Sequence, residues 1–237
     1  MKNDKEIFQR LYNVSRETIQ KLDVYHDYLL FSQNKTNLIG KGSKEEIYLR
    51  HFADSAKIFY LIENLLKGKD GNKLKICDIG SGAGFPGAVV QIFMEMYNFK
   101  NRVDLIESIK KKCNFLELLK VKIDSRFNIL NSRVEFLNQK YDIVIARAVS
   151  PLKVFFPNIR KIVKKNSIII LPKGNTWENE LNEVKNDWKF HLNIVKNNID
   201  LDKTGGVTLI IKNIHENLFH KCYIAHIFLH TYLSIRK

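Results

Sequence analysis

The stretch Ile76-Cys77-Asp78-Ile79-Gly80-Ser81-Gly82-Ala83-Gly84-Phe85-Pro86-Gly87 constrains the fold more than any other segment of the chain. It reads as a buried strand that runs straight into a glycine-rich turn and then a helix start. Gly80, Gly82 and Gly84 stand at alternate positions, where the missing Cβ lets the backbone close on a ligand. Asp78 lies two residues before the first of them, at the strand end, aimed into the same crevice. In an open α/β sheet, that edge is where ligands bind.

The surrounding pattern supports such a sheet. Ile7, Leu11, Val14, Thr18, Leu22, Tyr25 and Leu29 recur at helical spacing and form one apolar stripe, broken at Asn34-Lys35-Thr36-Asn37. Ser43-Lys44-Glu45-Glu46 offers a capping box for a second helix running to about Leu66. Beyond the linker Gly68–Asn72, strands are predicted at Leu74–Ile79, Val103–Ile106, Phe127–Leu130, Tyr141–Ala146, Ser167–Leu171, Trp188–Val195 and Val207–Lys212. Helices are predicted at Pro86–Met96, from a Ser108 cap to Leu119, and at Leu152–Val163, with Thr204-Gly205-Gly206 as the turn before the last strand. The expected fold is α/β, a doubly wound Rossmann-like sheet. Residues 1–70 form an N-terminal helical extension packing on a core of residues 71–216, and residues 217–237 form a tail.

Composition sets bounds. Hydrophobic content of 45% with 27% charged residues is ordinary for a water-soluble domain. No apolar run behind the charged start is long enough for a signal peptide or a membrane span. Cys77, Cys113 and Cys222 have no disulfide or metal spacing, so a reduced, cytoplasmic protein is expected. The net charge of +14 suits a polyanionic partner, although abundant lysine by itself gives the same balance. In the aromatic, basic tail, Cys222, His226 and His230 would share one face of a helix, as metal ligands do. A packed or frayed terminus gives the same pattern, and no metal site is assigned.

Two cofactor classes compete for the glycine turn. Gly82-Ala83-Gly84-Phe85-Pro86-Gly87 satisfies the dinucleotide fingerprint, and Glu107 follows about 20 residues on. That fingerprint begins directly after its strand, however, whereas this strand ends before Gly80, and Asp78 has no task beside an anionic pyrophosphate. Asp-x-Gly-x-Gly-x-Gly instead resembles the first motif of S-adenosylmethionine (SAM) dependent methyltransferases, whose sulfonium and ammonium favour nearby carboxylates. A nicotinamide oxidoreductase would also need a hydride-transfer acid or base such as Tyr-x-x-x-Lys, which is absent at the sheet edge.

Other candidates fall on the same edge. Glu107 ends the second strand, where a carboxylate accepts ribose hydroxyls; an acid favouring the next helix's dipole is the alternative. Val134 and Glu135, after the third strand, are placed to hold adenine. Arg147 ends the buried fourth strand, where it suits a bidentate hold on a carboxylate or phosphate, or a structural salt bridge. Lys173, after the next strand, is a second cation for a phosphate-rich substrate. Lys110-Lys111-Lys112 opposes the helix dipole and reads either as a solvated face or as an RNA phosphate contact.

With these pieces in place the chain closely resembles the bacterial small-subunit ribosomal RNA guanine-N7 methyltransferases (the RsmG or GidB family), collinearly over roughly Leu22 to Lys212. Asn37-Leu38-Ile39, Arg50-His51-Phe52-Ala53-Asp54-Ser55, the glycine turn with its proline, Glu107-Ser108 with Lys112, Ser132-Arg133-Val134-Glu135, Ile145-Ala146-Arg147-Ala148 and Pro172-Lys173-Gly174 carry the likeness. The Arg-His-x-x-Asp-Ser motif discriminates best. The resemblance implies a SAM-dependent methyltransferase domain over 71–216 that transfers methyl to N7 of a guanine in 16S ribosomal RNA, free or in an assembling particle. It implies SAM contacts through Gly80, Phe85, Val134, Glu135 and Arg147, with Glu107 on the ribose, and Asp78, Ser81 and Gly82 of the same turn complete the candidate cofactor contacts. Arg50, His51 and Asp54 then lie against the cofactor turn or the guanine; a histidine bonded to Asp54 or Ser55 is the alternative for His51. Arg50, His51 and Lys173 are the candidates for positioning substrate, no catalytic base is assigned, and a monomer is expected. Two departures stand out. The family's usual tryptophan before the Asn-Leu motif is absent, with Phe31 and Ser32 in that region, and the family ends soon after the last strand, so the tail inherits no role. A methyltransferase acting on another RNA or on a non-RNA substrate is the rival reading.

Overall fold

The computed structural model describes residues 2–40, 46–68, 70–196 and 206–217. Its centre is a seven-stranded sheet of order β3-β2-β1-β4-β5-β7-β6. The strands are β1 (Ile76–Ile79), β2 (Val103–Glu107), β3 (Asn128–Asn131), β4 (Tyr141–Ala146), β5 (Val163–Lys173), β6 (Trp188–Lys196) and β7 (Val207–Glu216). β1 to β5 pair in parallel, while β7 runs antiparallel to both β5 and β6. The strand order reverses between β1 and β4, so a crevice opens beyond their carboxyl ends, where Asp78, Glu107 and Arg147 were expected.

Alternation along the central strands divides the core into two layers. Ile76, Leu105, Ile143 and Ile145 face one way, joining α1 (Lys2–Tyr12), α2 (Arg16–Gln33), α3 (Ala53–Lys67), α4 (Gly87–Met96) and α5 (Lys110–Lys122). Cys77, Ile106, Val144 and Ile169 face the other, against α6 (Leu152–Ile159) and α7 (Trp177–Val184). The first layer is rich in aromatic contacts: Phe8 meets Phe93 edge-on with centroids 6.4 Å apart, and Tyr28 stacks on Phe115 at 5.0 Å.

The predicted strands and helices are present, with four differences. The apolar stripe breaks earlier than its pattern implies: Asn13 takes φ +44° and Ser15 caps α2 by accepting from the Thr18 N–H, which makes two helices of one stripe. Ser108 is not a cap. Glu107 instead takes the Ile109 N–H at 2.7 Å, just before α5. The helix after Pro151 stops at Ile159, and the polar run Lys164-Lys165-Asn166 belongs to β5. Ser167 makes this possible by donating to the Tyr141 carbonyl and accepting from the Lys164 N–H where the β4–β5 register shifts. Finally, α7 lies where the sequence pattern shows no helix. The capping box at Ser43, most of the Thr204-Gly205-Gly206 turn and the tail Leu218–Lys237 with Cys222, His226 and His230 lie outside the described residues.

Candidate active site

The turn after β1 does what its glycines allow. Gly80, Gly82 and Gly84 take φ of +67°, +56° and +93°, a region that L-residues with a Cβ rarely occupy. A Cβ on Gly84 would sit 2.5 Å from the Tyr25 hydroxyl, and one on Gly80 would sit 2.8 Å from Val149. Neighbours tie the turn down. The Tyr25 hydroxyl donates to the Ala83 carbonyl, and the buried Ser81 hydroxyl donates to the Asp78 carbonyl at 2.9 Å.

Asp78 supports this turn from beneath. It is fully buried, and its Oδ2 accepts the Gly87 N–H at 2.9 Å, at the start of α4. Its Oδ1 is buried without a protein partner. Burial is the main cause that pushes its carboxyl up to about 7; the Gly87 N–H, the Ser81 hydroxyl and the Arg147 charge oppose it. Glu107, 5% exposed, closes the turn from the side: Oε2 accepts the Gly82 N–H at 3.0 Å while Oε1 takes Ile109. The end of β3 is stitched alongside, with Ser132 N–H and the Asn131 amide both donating to the Glu107 carbonyl. Val134 is buried in the short helical turn that follows, and Glu135 faces Arg133 at 3.7 Å.

On the opposite side the turn meets the N-terminal helices. Phe85, 4% exposed, stacks on Tyr25 at 5.3 Å and on the His51 imidazole at 4.8 Å. The Arg147 guanidinium lies 5.2 Å from the centre of the same ring, a cation–π contact. His51 bonds neither Asp54 nor Ser55 through its ring. Its Nδ1 lies 2.7 Å from Arg147 Nη2, and only its backbone carbonyl accepts from Ser55. Burial first, and then the charges of Arg147 and Arg50, push the imidazole down to about 3, so His51 is neutral. Arg50 is half-exposed and brings its carbonyl, rather than its guanidinium, to Arg147 at 3.2 Å.

Asp78, Gly80, Ser81, Gly82, Phe85, Glu107, His51 and Arg147 thus converge on one turn. Lys173 ends β5 on the same sheet edge, but its ammonium is paired with Glu180 Oε2 at 2.7 Å, both side chains being mostly buried. Lys110 and Lys111 are exposed at the start of α5. Tyr25, Val149 and Glu180 also border the site, with no sequence signal that marks them for it. Tyr25 looks like any stripe residue, and nothing local marks its hydroxyl as the support of a turn 58 residues away. Among the described residues, no group of three or more His, Cys, Asp or Glu side chains could hold a metal ion, and no helix is long and apolar enough to cross a membrane.

The pocket suits SAM better than a dinucleotide. The turn has no room for a Cβ at Gly80 or Gly84, and Asp78 lies beneath it with Oδ1 unpartnered, an acceptor for which a pyrophosphate, itself only an acceptor, has no use.

Comparison with known proteins agrees. Residues 18–208 match the family model described as rRNA small subunit methyltransferase G. A Mycoplasma capricolum protein named Ribosomal RNA small subunit methyltransferase G is 36% identical over 219 residues, covering 89% of this chain and 85% of that one. An Aquifex aeolicus protein of the same name is 34% identical over 179 residues, covering 74% and 86%. Among solved structures, a Listeria monocytogenes protein described as a class I SAM-dependent methyltransferase superposes with a TM-score of 0.58 at 13% identity, over 84% of this chain and 88% of that one. Magnesium protoporphyrin IX methyltransferase from Synechocystis, solved with bound SAM, gives 0.53 at 13% identity, over 88% and 97%. These structural likenesses show the fold alone.

Proposed function

Because the chain belongs to the rRNA small subunit methyltransferase G family, we propose that it transfers a methyl group from SAM to N7 of a guanine in 16S ribosomal RNA. The observation that carries this reading is the glycine turn clamped by Glu107 on one side and faced by His51 and Arg147 on the other. The clamp suits the methyl donor. The Arg-His-x-x-Asp-Ser segment facing it is the feature that separates this family from other methyltransferases.

SAM, when bound, supplies a sulfonium-activated methyl group, which a guanine N7 lone pair takes without a base because that nitrogen carries no proton. The task of the protein is therefore positioning, water exclusion and charge placement. Gly80 and Gly82 bring backbone to the ligand, and Glu107 fixes Gly82 while presenting its carboxylate to the ribose. Asp78 anchors the start of α4 under the turn, and the carboxylate of Glu107 favours a cationic ligand. Val134 and Glu135 flank the adenine position. Arg147, held against Phe85, faces the same crevice. No proton has to move through a side chain. Lys110 and Lys111 at the rim and the net charge of +14 favour a polyanionic substrate.

The test is tritium transfer from labelled SAM to small-subunit ribosomal RNA, free and as particles, from a strain lacking the endogenous enzyme, followed by nucleoside analysis. Label in 7-methylguanosine is expected. Label in another nucleoside, or in protein, would keep the fold and overturn the substrate.

A further inference from the structure

Just ahead of α3, Tyr48–Phe52 form one π-helical turn, closed by the Ala53 N–H on the Tyr48 carbonyl five residues back. This wide turn aims two groups at Arg147, which follows β4. The Arg50 carbonyl accepts from Nη1 at 3.2 Å, and His51 Nδ1 lies 2.7 Å from Nη2. A guanidinium has only donors, so Nδ1 must be the acceptor and the ring proton sits on Nε2. That Nε2 is buried without a protein partner. The imidazole is thus held in one tautomer, with its far N–H unsatisfied, by the bond it makes to Arg147. Asp54 Oδ2, 4.0 Å from Nη1, supplies the charge balance for a guanidinium whose side chain is 17% exposed. His51 and Arg147 also share one platform, the ring of Phe85 on the cofactor turn.

We propose that His51 is a positioning residue for the methyl transfer: its unprotonated Nδ1, presented by the π-helical turn, fixes the guanidinium of Arg147 against Phe85 before the cofactor binds. This rests on the reading that Arg147 contacts SAM. The N-terminal helices thereby set the geometry of a group at the end of β4, and the ring acts through Arg147 without touching the reacting atoms. A side chain that only filled space beside Phe85 would need neither an acceptor at the δ position nor this tautomer.

The distinction can be read chemically. In the full-length protein, His51→Asn places a carbonyl oxygen near the Nδ1 position, His51→Gln places one near Nε2, and His51→Ala removes both. SAM affinity by calorimetry is expected to fall about tenfold in His51→Ala and His51→Gln but within about threefold of wild type in His51→Asn, tenfold being about 1.4 kcal/mol. In an Arg147→Ala background, His51→Ala is expected to add no further loss, since both changes break one interaction. Thermal unfolding of each variant separates loss of fold from loss of binding. Equal losses in Asn, Gln and Ala, or losses that add across His51 and Arg147, would overturn the proposal and assign His51 to packing alone. Wild type that binds SAM but forms no 7-methylguanosine overturns the proposed function while leaving this coupling measurable.

Discussion

Glu107 Oε2 accepts the backbone N–H of Gly82 at 3.0 Å, so the last residue of β2 clamps the turn that follows β1. The same carboxylate holds the Ile109 N–H, and both oxygens are therefore needed as acceptors. Glu107→Gln keeps one acceptor and turns an amide N–H toward a backbone donor. A bond to a charged group contributes about 1.5–3 kcal/mol, so SAM affinity is expected to fall roughly 10- to 100-fold. Calorimetric titration checks this; unchanged affinity would remove Glu107 from both the clamp and the ribose site.

Asp78 gives a pH signature. Its carboxyl is pushed by burial to about 7, above its unfolded value of 3.8, so the folded protein keeps a proton that the unfolded chain has released. The stability associated with that proton is present below about pH 4 and is lost as pH rises through about 7. Asp78→Asn can still accept from Gly87 but does not titrate. The difference in unfolding free energy, variant minus wild type, should therefore grow between pH 5 and 7, by at most about 1.4 kcal/mol per pH unit, and level off above. A flat difference in urea melts across that range would show that Asp78 is ionised throughout.

Gly84 is the most crowded glycine of the turn. Gly84→Ala forces a Cβ to 2.5 Å from the Tyr25 hydroxyl and 3.0 Å from Ala88, at φ +93°. A cost of about 2–4 kcal/mol in unfolding free energy is expected from strain and overpacking together. Removing the hydroxyl relieves part of the clash, so the same change should cost less in a Tyr25→Phe background. Chemical denaturation of the four proteins measures the coupling; strictly additive costs would mean that Tyr25 does not confine the turn.

Lys173 is tied to Glu180, which also accepts the Leu152 N–H at 3.0 Å and so holds the start of α6. Lys173→Met leaves that mostly buried carboxylate without its cation and is expected to cost about 2–3 kcal/mol. The pair Lys173→Met with Glu180→Gln should recover part of it. Folded Lys173→Met protein should lose RNA methylation more than SAM affinity. Equal loss of both would confine Lys173 to a structural role.

What could be read in advance follows the range of the interactions. β4 runs over Tyr141–Ala146, as the apolar run Ile143–Ala146 implies, because a central parallel strand is buried on both faces. The glycine turn was equally legible, since positive φ is written in the residue type. The polar run Lys164-Lys165-Asn166 hides the first part of β5, and only the side chain of Ser167, bonded to Tyr141, carries it into the sheet. The helix break at Asn13 was hidden under an apolar stripe that both α1 and α2 continue. At the site, Arg147 was placed by its position at a strand end, but its partner was not. The bond to His51 spans 96 residues, and no local pattern encodes which ring nitrogen meets a guanidinium across that distance.

The helices that precede the sheet also carry a consequence for the order in which the chain is made. Tyr28 stacks on Phe115, Phe8 abuts Phe93, and the Tyr25 ring covers Phe85. Ribosomes deliver the N-terminus first. α1 to α3 therefore emerge with their apolar faces uncovered and wait for the partners that complete them, α5 among them and Ile143, Ile145 and Ile170 of the sheet later still. A nascent chain stalled before α5 exposes Tyr28 together with the rest of that stripe, whereas one from which α5 has emerged can bury it.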